Sequence, residues 1–313
     1  MLDYSELIKK RSSAIIYGSG AKFTRFLSAI ELSKSQKQDA SDRLLTLRLK
    51  MATAFPGSKC FVVGSYGKNT AIRPPSDLDV MLVLPQSIYE RYSFWKYLLS
   101  SRNAQSEFLQ EVKRKLEEHF PITELKADRQ VIAVQYASSF SAEIVPCFQI
   151  PDSSKYRMAD TKNNGSWVEV NPEKEAKILS GLNSATNGNT IRLIKMIKCW
   201  KKTCNVPLKS FHLEILAQEF LSNYKDSSCT PTGLDVMIKE FFRWLYNKSI
   251  TLFFDPEIIH PATEEAINIG KEWRFKAESA LDVALEAMNQ EVKGNTGQAT
   301  LEWQKIFGKD FVG

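Results

Sequence analysis

Apolar residues along this chain recur with different periods in its two halves. Residues 21–54 hold no proline or glycine, and Phe23, Phe26, Leu27 and Ile30 fall at the three-and-four spacing of one helical face. With Leu32, Leu44, Leu45, Leu47 and Leu49 they predict one long helix over 21–54, bent near 33–41 and ending at Pro56-Gly57. Runs 60–63 and 78–84 are rich in Val, Leu and Met and bounded by turn residues, so they read as buried strands. Helices are expected over 88–99 and 103–119. Strands are expected over Ile122–Lys126, Val131–Tyr136 and Phe140–Val145, the last ending at Pro146. Asn163-Asn164-Gly165 marks the turn of a hairpin within 155–170. From Pro172 the pattern is helical, over 172–184, 189–204, 210–224, 231–249, 264–289 and 298–308. The fold class is therefore α+β and bilobed. A mixed sheet with helices occupies 1–180, together with a long N-terminal spine helix, and a helical lobe occupies 181–313.

The most informative stretch runs from Phe61 to Leu84. An apolar run ends in Gly64-Ser65, a polar basic loop follows, and a second apolar run opens with Asp77-Leu78-Asp79-Val80. Side chains alternate along a strand, so Asp77 and Asp79 share one face while Leu78 and Val80 enter the core. Two neighbouring carboxylates repel unless a cation lies between them. Oxygen ligands alone favour Mg²⁺ or Mn²⁺ over zinc. Gly64 permits close backbone approach, and Ser65 offers a hydroxyl and an N–H. A helix starting after Ser65 would point free N–H groups at a phosphate. A phosphate cradle beside metal-binding carboxylates is the equipment of nucleotidyl transfer, and the stretch resembles the signature of polymerase-beta-like nucleotidyltransferases.

Other residues extend this site. Glu143 lies among apolar neighbours in a strand expected to be central, where an unpaired charge is costly, so it is the candidate third acidic ligand. In 189–204, Arg192, Lys195, Lys198 and Lys202 form a basic stripe opposite Leu193, Ile194, Ile197 and Trp200, the usual pattern of a solvated face. Ser210 stands where the next helix needs an N-cap, Lys209 beside it suits a phosphate, and Phe211 suits either a base or the core.

Composition narrows the picture further. The 313 residues are 43% apolar and 25% charged, an ordinary globular balance. The net charge of +6 suits anionic substrates such as nucleoside triphosphates and does not mark a nucleic-acid binder. No apolar run reaches signal-peptide or membrane-spanning length. The cysteines at 60, 147, 199, 204 and 229 form no Cys-x-x-Cys, which argues against disulfides and a zinc ribbon and for a cytoplasmic location.

Taken together, several motifs resemble the cGAS/DncV-like nucleotidyltransferases, the bacterial CD-NTases of CBASS anti-phage operons, in particular the branch called clade D. They are Gly64-Ser65-Tyr66-Gly67, Thr70-Ala71-Ile72-Arg73-Pro74, Asp77-Leu78-Asp79-Val80, Glu143-Ile144-Val145-Pro146, Trp167 with Asn171-Pro172, Lys195-Met196-Ile197-Lys198-Cys199-Trp200-Lys201, and Leu208-Lys209-Ser210-Phe211-His212-Leu213-Glu214. The resemblance implies a cyclic di- or trinucleotide second messenger, adenine-containing, made from ATP and other NTPs. It implies that Asp77, Asp79 and Glu143 hold two Mg²⁺ (or Mn²⁺) ions, and that Gly64 and Ser65 hold the triphosphate with Lys195 and Ser210. Phe211 would stack on the donor base. Either Asp79 or Glu143 would take the proton of the attacking hydroxyl. The family's third carboxylate is often Asp, and Glu143 is one methylene longer. An activating protein encoded nearby, HORMA-like or ligase-type, is a further implied partner, and Gly313 is a candidate for ligation to other proteins. The Cys/His cluster of the DNA-sensing animal relatives is missing from the sequence, so DNA sensing is not implied. The alternatives are a linear oligonucleotide synthase or another transferase on the same core, and an inactive nucleotide-binding scaffold.

Overall fold

A computed structural model describes residues 16–98, 103–120, 124–128, 130–136, 141–162, 165–250 and 254–312. Its contacts divide the chain into two compact units, Leu32–Lys177 and Met1–Glu31 with Ile178–Gly313.

The first unit is built on a mixed seven-stranded sheet. Its strands are β1 (Lys59–Val62), β2 (Leu78–Leu84), β3 (Glu124–Asp128), β4 (Val131–Gln135), β5 (Ala142–Gln149), β6 (Tyr156–Asp160) and β7 (Ser166–Val170), in the order β1-β2-β5-β4-β3, with β6 paired to β5 and β7. β2 and β5 run parallel and the other pairs antiparallel. One face of β2 and β5 carries Leu78, Val80, Leu82, Leu84, Ile144 and Phe148, all buried in the main core. Helices Lys34–Ala54 and Ala104–Glu117 close this face with Leu47 and Met51 and with Phe108, Leu109, Val112 and Leu116. Each such side chain contributes about 1.5–3 kcal/mol when fully buried. The other face holds a smaller cluster of Met81, Val83, Cys147 and Tyr156.

Two expected boundaries in this part differ. The long N-terminal helix is present as Ile16–Ile30 and Lys34–Ala54, and its expected bend is a restart. Ser33 Oγ accepts the Gln36 N–H at 3.1 Å, and Gln36 Oε1 accepts the Ser33 N–H at 2.9 Å. This reciprocal capping box satisfies two helix-end donors and contributes about 1 kcal/mol. The expected end of a strand at Pro146 does not occur, because β5 continues to Gln149. On the side away from β2, residues 142–144 pair with β4 and residues 147–149 with β6. Pro146 falls between these partners, where a missing N–H costs no ladder bond. In the hairpin β6–β7, Asp160 pairs with Ser166, and Asn163 and Asn164 of its expected turn lie outside the described residues. Ile122 and Phe140, expected to open two strands, and Gly313 also lie outside them.

The second unit is helical, with Ile16–Ile30, Asn189–Cys204, Ser210–Asn223, Leu234–Ser249, Arg274–Val292 and Thr296–Phe307, plus a short hairpin of β8 (Glu257–Ile259) and β9 (Ala266–Asn268). The 1–180 lobe expected from sequence loses its N-terminal segment to this unit for a packing reason. Phe23 and Phe26 are buried against Trp303, Phe307 and Phe311, with ring centroids 4.6–6.0 Å apart. The helix expected over 264–289 begins only at Arg274, and β9 occupies its start. Asn268 Oδ1 accepts the Gly270 N–H at 2.9 Å, Gly270 takes a φ of +64°, and the buried Trp273 indole donates to the Gly270 carbonyl at 2.9 Å. This turn stops a helix from running through. Among the described residues, no helix is long and apolar enough to cross a membrane.

Candidate active site

In the sheet unit, strand register brings acidic residues together. Leu78 pairs with Ala142 and Asp79 with Glu143 across the parallel β2–β5 pair. Paired residues on adjacent strands project to the same face, about 4.8 Å apart along the hydrogen-bond direction. Asp77, two positions before Asp79, precedes the first residue of β2 on that same side. This is the face opposite the main core. The Leu78 N–H donates to the Ser141 carbonyl at 3.0 Å, and the Ser141 hydroxyl donates to Asp77 Oδ1. Nothing in the sequence pattern singles out Ser141. Once β2 and β5 are placed parallel, its position opposite Asp77 follows from the Leu78–Ala142 pair.

Gly64 is the second fixed element. It takes a φ of +61°, and a Cβ built on it would lie 1.9 Å from Asp79 Oδ2 and 2.8 Å from Asp79 Cγ. Only a residue without a side chain lets the Asp79 carboxylate stand so close to this backbone. The Val63 N–H donates to the Asp79 carbonyl at 2.9 Å and locks the strand ends together. Gly64–Gly67 is a single helical turn starting two residues earlier than expected, with Val63 in the N-cap position. The Ser65 carbonyl accepts the Thr70 and Ala71 N–H groups at 2.8 and 3.2 Å, which folds the basic loop back on the turn, and Ser65 Oγ lies 3.3 Å from Ser76 Oγ. Burial pushes the Tyr66 phenol up to about 12, helped by the carboxylates of Asp39 and Asp77 against Arg43, so the ring is neutral at pH 7.

Asp77, Asp79 and Glu143 supply hard oxygen donors from one face, and the space kept by Gly64 adjoins one of them. This donor chemistry suits Mg²⁺ or Mn²⁺. Among the described residues, no three His, Cys, Asp or Glu side chains are gathered closely enough to enclose an ion, and Asp77 is turned toward Ser141.

In the helical unit, Asn189–Cys204 is buried on most of its circumference, from Leu193 through Trp200. The basic stripe is therefore not a solvated face. Lys195 is buried and its Nζ donates to Glu31 Oε1 at 2.5 Å, while Lys198, also buried, donates to Glu214 Oε1 at 2.6 Å. Charges this deep persist only with partners. Arg192 donates to the Asn187 carbonyl and to Asn189 Oδ1, and only Lys202 of the four is exposed. A cavity of about 200 Å³ is lined by Lys195, Glu31 and Arg192 with Thr24, Ser28 and Leu234. Ser210 is the first residue of its helix, and Lys209, not Ser210, holds the N-cap position. Ser210 is exposed, and Phe211 is half-buried against His260. Burial, aided by the charge of Lys209, holds His212 below the usual histidine value.

A mixed sheet with two acidic positions at the start of one strand, a third on its parallel neighbour and a Gly-Ser turn against them defines a polymerase-beta-like nucleotidyltransferase. The family model of the Second Messenger Oligonucleotide or Dinucleotide Synthetase domain matches residues 19–183, more than half of the chain. The protein belongs to that family, within the cGAS/DncV-like nucleotidyltransferases, and is an enzyme of the nucleotidyltransferase class. It is 22% identical to a CBASS oligonucleotide cyclase, CdnC, of Escherichia coli strain KTE188, over 86% of this chain and 88% of that one. It is 23% identical to a cyclic AMP-AMP-AMP synthase of an Acinetobacter species, over 93% and 84%. Its fold resembles E. coli MS115-1 CdnC solved in complex with HORMA-deltaN, with a TM-score of 0.69, 19% identity, and 96% and 100% of the two chains covered. It also resembles Vibrio cholerae DncV solved with a linear pppA(3′,5′)pG intermediate, with a TM-score of 0.62, 11% identity, and 100% and 92% covered.

Proposed function

We propose that this protein joins nucleoside triphosphates, ATP among them, into a cyclic di- or trinucleotide messenger in a CBASS-type anti-phage response. The observation that carries this reading is the Asp79–Glu143 pair in register beneath the side-chain-free backbone of Gly64. Relatives named for oligonucleotide cyclisation, one of them solved with ATP, support it.

Asp77, Asp79 and Glu143 would hold two Mg²⁺ ions. When bound there, such ions would supply the positive charge that acidifies an attacking ribose hydroxyl and neutralises a departing pyrophosphate. The turn at Gly64-Ser65 orients the triphosphate, and Lys195 and Ser210 are further phosphate ligands. For Lys195 this requires exchanging Glu31 for a phosphate oxygen, a swap of one charge-assisted hydrogen bond for another. Asp79 or Glu143 receives the proton of the attacking hydroxyl. Phe211 offers its ring to a base. Release of Asp77 from Ser141 accompanies closure of the carboxylates. A HORMA-like protein is the proposed activator, by analogy with the relative solved in such a complex.

The test is incubation of the purified protein with labelled ATP, GTP, CTP and UTP and Mg²⁺ or Mn²⁺, followed by phosphatase and mass spectrometry. A phosphatase-resistant product with the mass of a cyclic oligonucleotide, absent in the Asp77→Asn/Asp79→Asn variant, is expected. A phosphatase-sensitive ladder would replace the cyclase reading by a linear synthase. Equal silence of wild type and variant, with the activator present, would replace it by a nucleotide-binding scaffold.

A further inference from the structure

The hairpin β8–β9 has no role in the chemistry described above, yet it places an aromatic ring on Phe211. Phe211 is the second residue of the helix Ser210–Asn223. The ring of His260 lies against it, with centroids 5.2 Å apart and planes at 45°. His260 follows the last residue of β8. Its N–H donates to the Glu265 carbonyl, and its carbonyl accepts the Glu264 N–H, both at 2.8 Å. The imidazole is pinned as well as the backbone. Its Nδ1 accepts the Ala262 N–H at 3.2 Å and the Thr263 N–H at 3.1 Å. A ring nitrogen that accepts two amides carries no proton, so this hydrogen-bond network assigns the proton to Nε2. Glu264, in the same turn, holds a φ of +63°, and Thr263 Oγ1 donates to Glu265 Oε2 at 3.3 Å. The ring of His260 is therefore oriented by a closed turn rather than by its own rotamer preference.

We propose that His260 is a positioning residue for nucleobase binding. Its pinned ring holds Phe211 in the orientation that stacks on the base of a bound nucleotide. The inference rests on the assignment of Phe211 to base stacking made above. A half-buried phenylalanine in the first turn of a helix samples several rotamers, and a ligand that needs one of them must freeze the rest. A ring fixed behind it removes that cost before the base arrives. The edge-to-face or tilted contact of two aromatic rings corresponds to an affinity change of about two- to tenfold.

His260→Asn separates the two functions of this side chain. The Asn carbonyl oxygen takes the place of Nδ1 as acceptor for the turn amides, and the ring is gone. With the full-length protein, ATP and inorganic tripolyphosphate are the probes, read by calorimetry beside a thermal melt. The variant is expected to melt near wild type, to bind ATP about three- to tenfold more weakly, and to bind tripolyphosphate, which has no base, as wild type does. In a Phe211→Ala background the same substitution is expected to add less than twofold. If His260→Asn binds ATP like wild type while Phe211→Ala is weakened, the positioning role is overturned and base stacking by Phe211 stands. If Phe211→Ala itself binds ATP like wild type, the stacking assignment falls. Should His260→Asn unfold, His260→Gln likewise offers an acceptor oxygen to the turn and no ring. An ATP affinity about three- to tenfold below wild type for that variant supports the proposal, and ATP binding within twofold of wild type in a folded protein overturns it.

Discussion

Replacing Gly64 by alanine perturbs the proposed site through a single methyl group. Two effects add. At a φ of +61° an L-residue is in the left-handed region, which costs about 1–2 kcal/mol. The new Cβ would also stand 1.9 Å from Asp79 Oδ2, far inside van der Waals contact, and 2.8 Å from Asp79 Cγ. Asp79 cannot keep its position. Relief requires its carboxylate to retreat by roughly 1 Å or more, a displacement that costs about 10²-fold in rate where reacting groups must be aligned. The stability loss lowers the melting temperature by about 2–8 °C, which leaves the protein folded at assay temperature. The assay is pyrophosphate release from NTPs, with thermal unfolding measured in parallel. Gly181→Ala is the control. It sits inside the helix Pro172–Ala185, its new methyl would meet no neighbour within 4 Å, and it should gain about 0.5–1 kcal/mol with activity unchanged. Activity of Gly64→Ala within twofold of wild type would refute the claim that this backbone and the Asp79 carboxylate must nearly touch.

Lys195→Met should weaken ATP binding about tenfold or more, and Lys202→Glu less than twofold, as read by calorimetry; equal losses would assign the helix to a partner instead of the substrate. Tyr92→Phe tests a pH-dependent contribution in the sheet unit, where Tyr92 and Arg91 both donate to Glu111. Burial alone would raise the Glu111 carboxyl, but these donors outweigh it and hold it below the usual glutamate value. The wild type should therefore exceed the variant by about 1 kcal/mol at pH 7, and the gap should close as the pH falls below about 4.5 through the folded value, in urea unfolding across pH.

The parts of the site that are legible in the sequence depend on short-range rules. Alternation along β2 puts Asp77 and Asp79 on one side, and the apolar surroundings of Glu143 mark its strand as central. The restart at Ser33 is readable too, since Ser33-x-x-Gln36 is a capping-box spacing, although the apolar positions alone suggest continuity. What escapes depends on partners far along the chain. Lys195 and Lys198 look like a solvated stripe until Glu31, 164 positions away, and Glu214 are seen to neutralise them. The hairpin β8–β9 is hidden because strands of three residues carry too few positions to show a period of two, so 264–289 reads as one helix. Ser141 needs the parallel register before it can be matched with Asp77.

That register follows from the core rather than from the acidic residues. Leu78, Val80, Leu82 and Leu84 face the same side as Ala142, Ile144 and Phe148, and all of these side chains are buried. Sliding β5 by one residue against β2 would keep the backbone ladder but set Glu143 beside Val80 or Leu78, and would force one strand to turn its apolar set outward. Several leucine-sized side chains at about 1.5–3 kcal/mol each oppose such a slip. The mutual repulsion of Asp79 and Glu143 is far smaller at the partial exposure they have. Packing on one face of the sheet therefore holds like charges together on the other. Asp79 and Glu143 thus stand side by side next to a glycine with no side chain to obstruct them, which is the placement that the proposed nucleotide and metal binding needs.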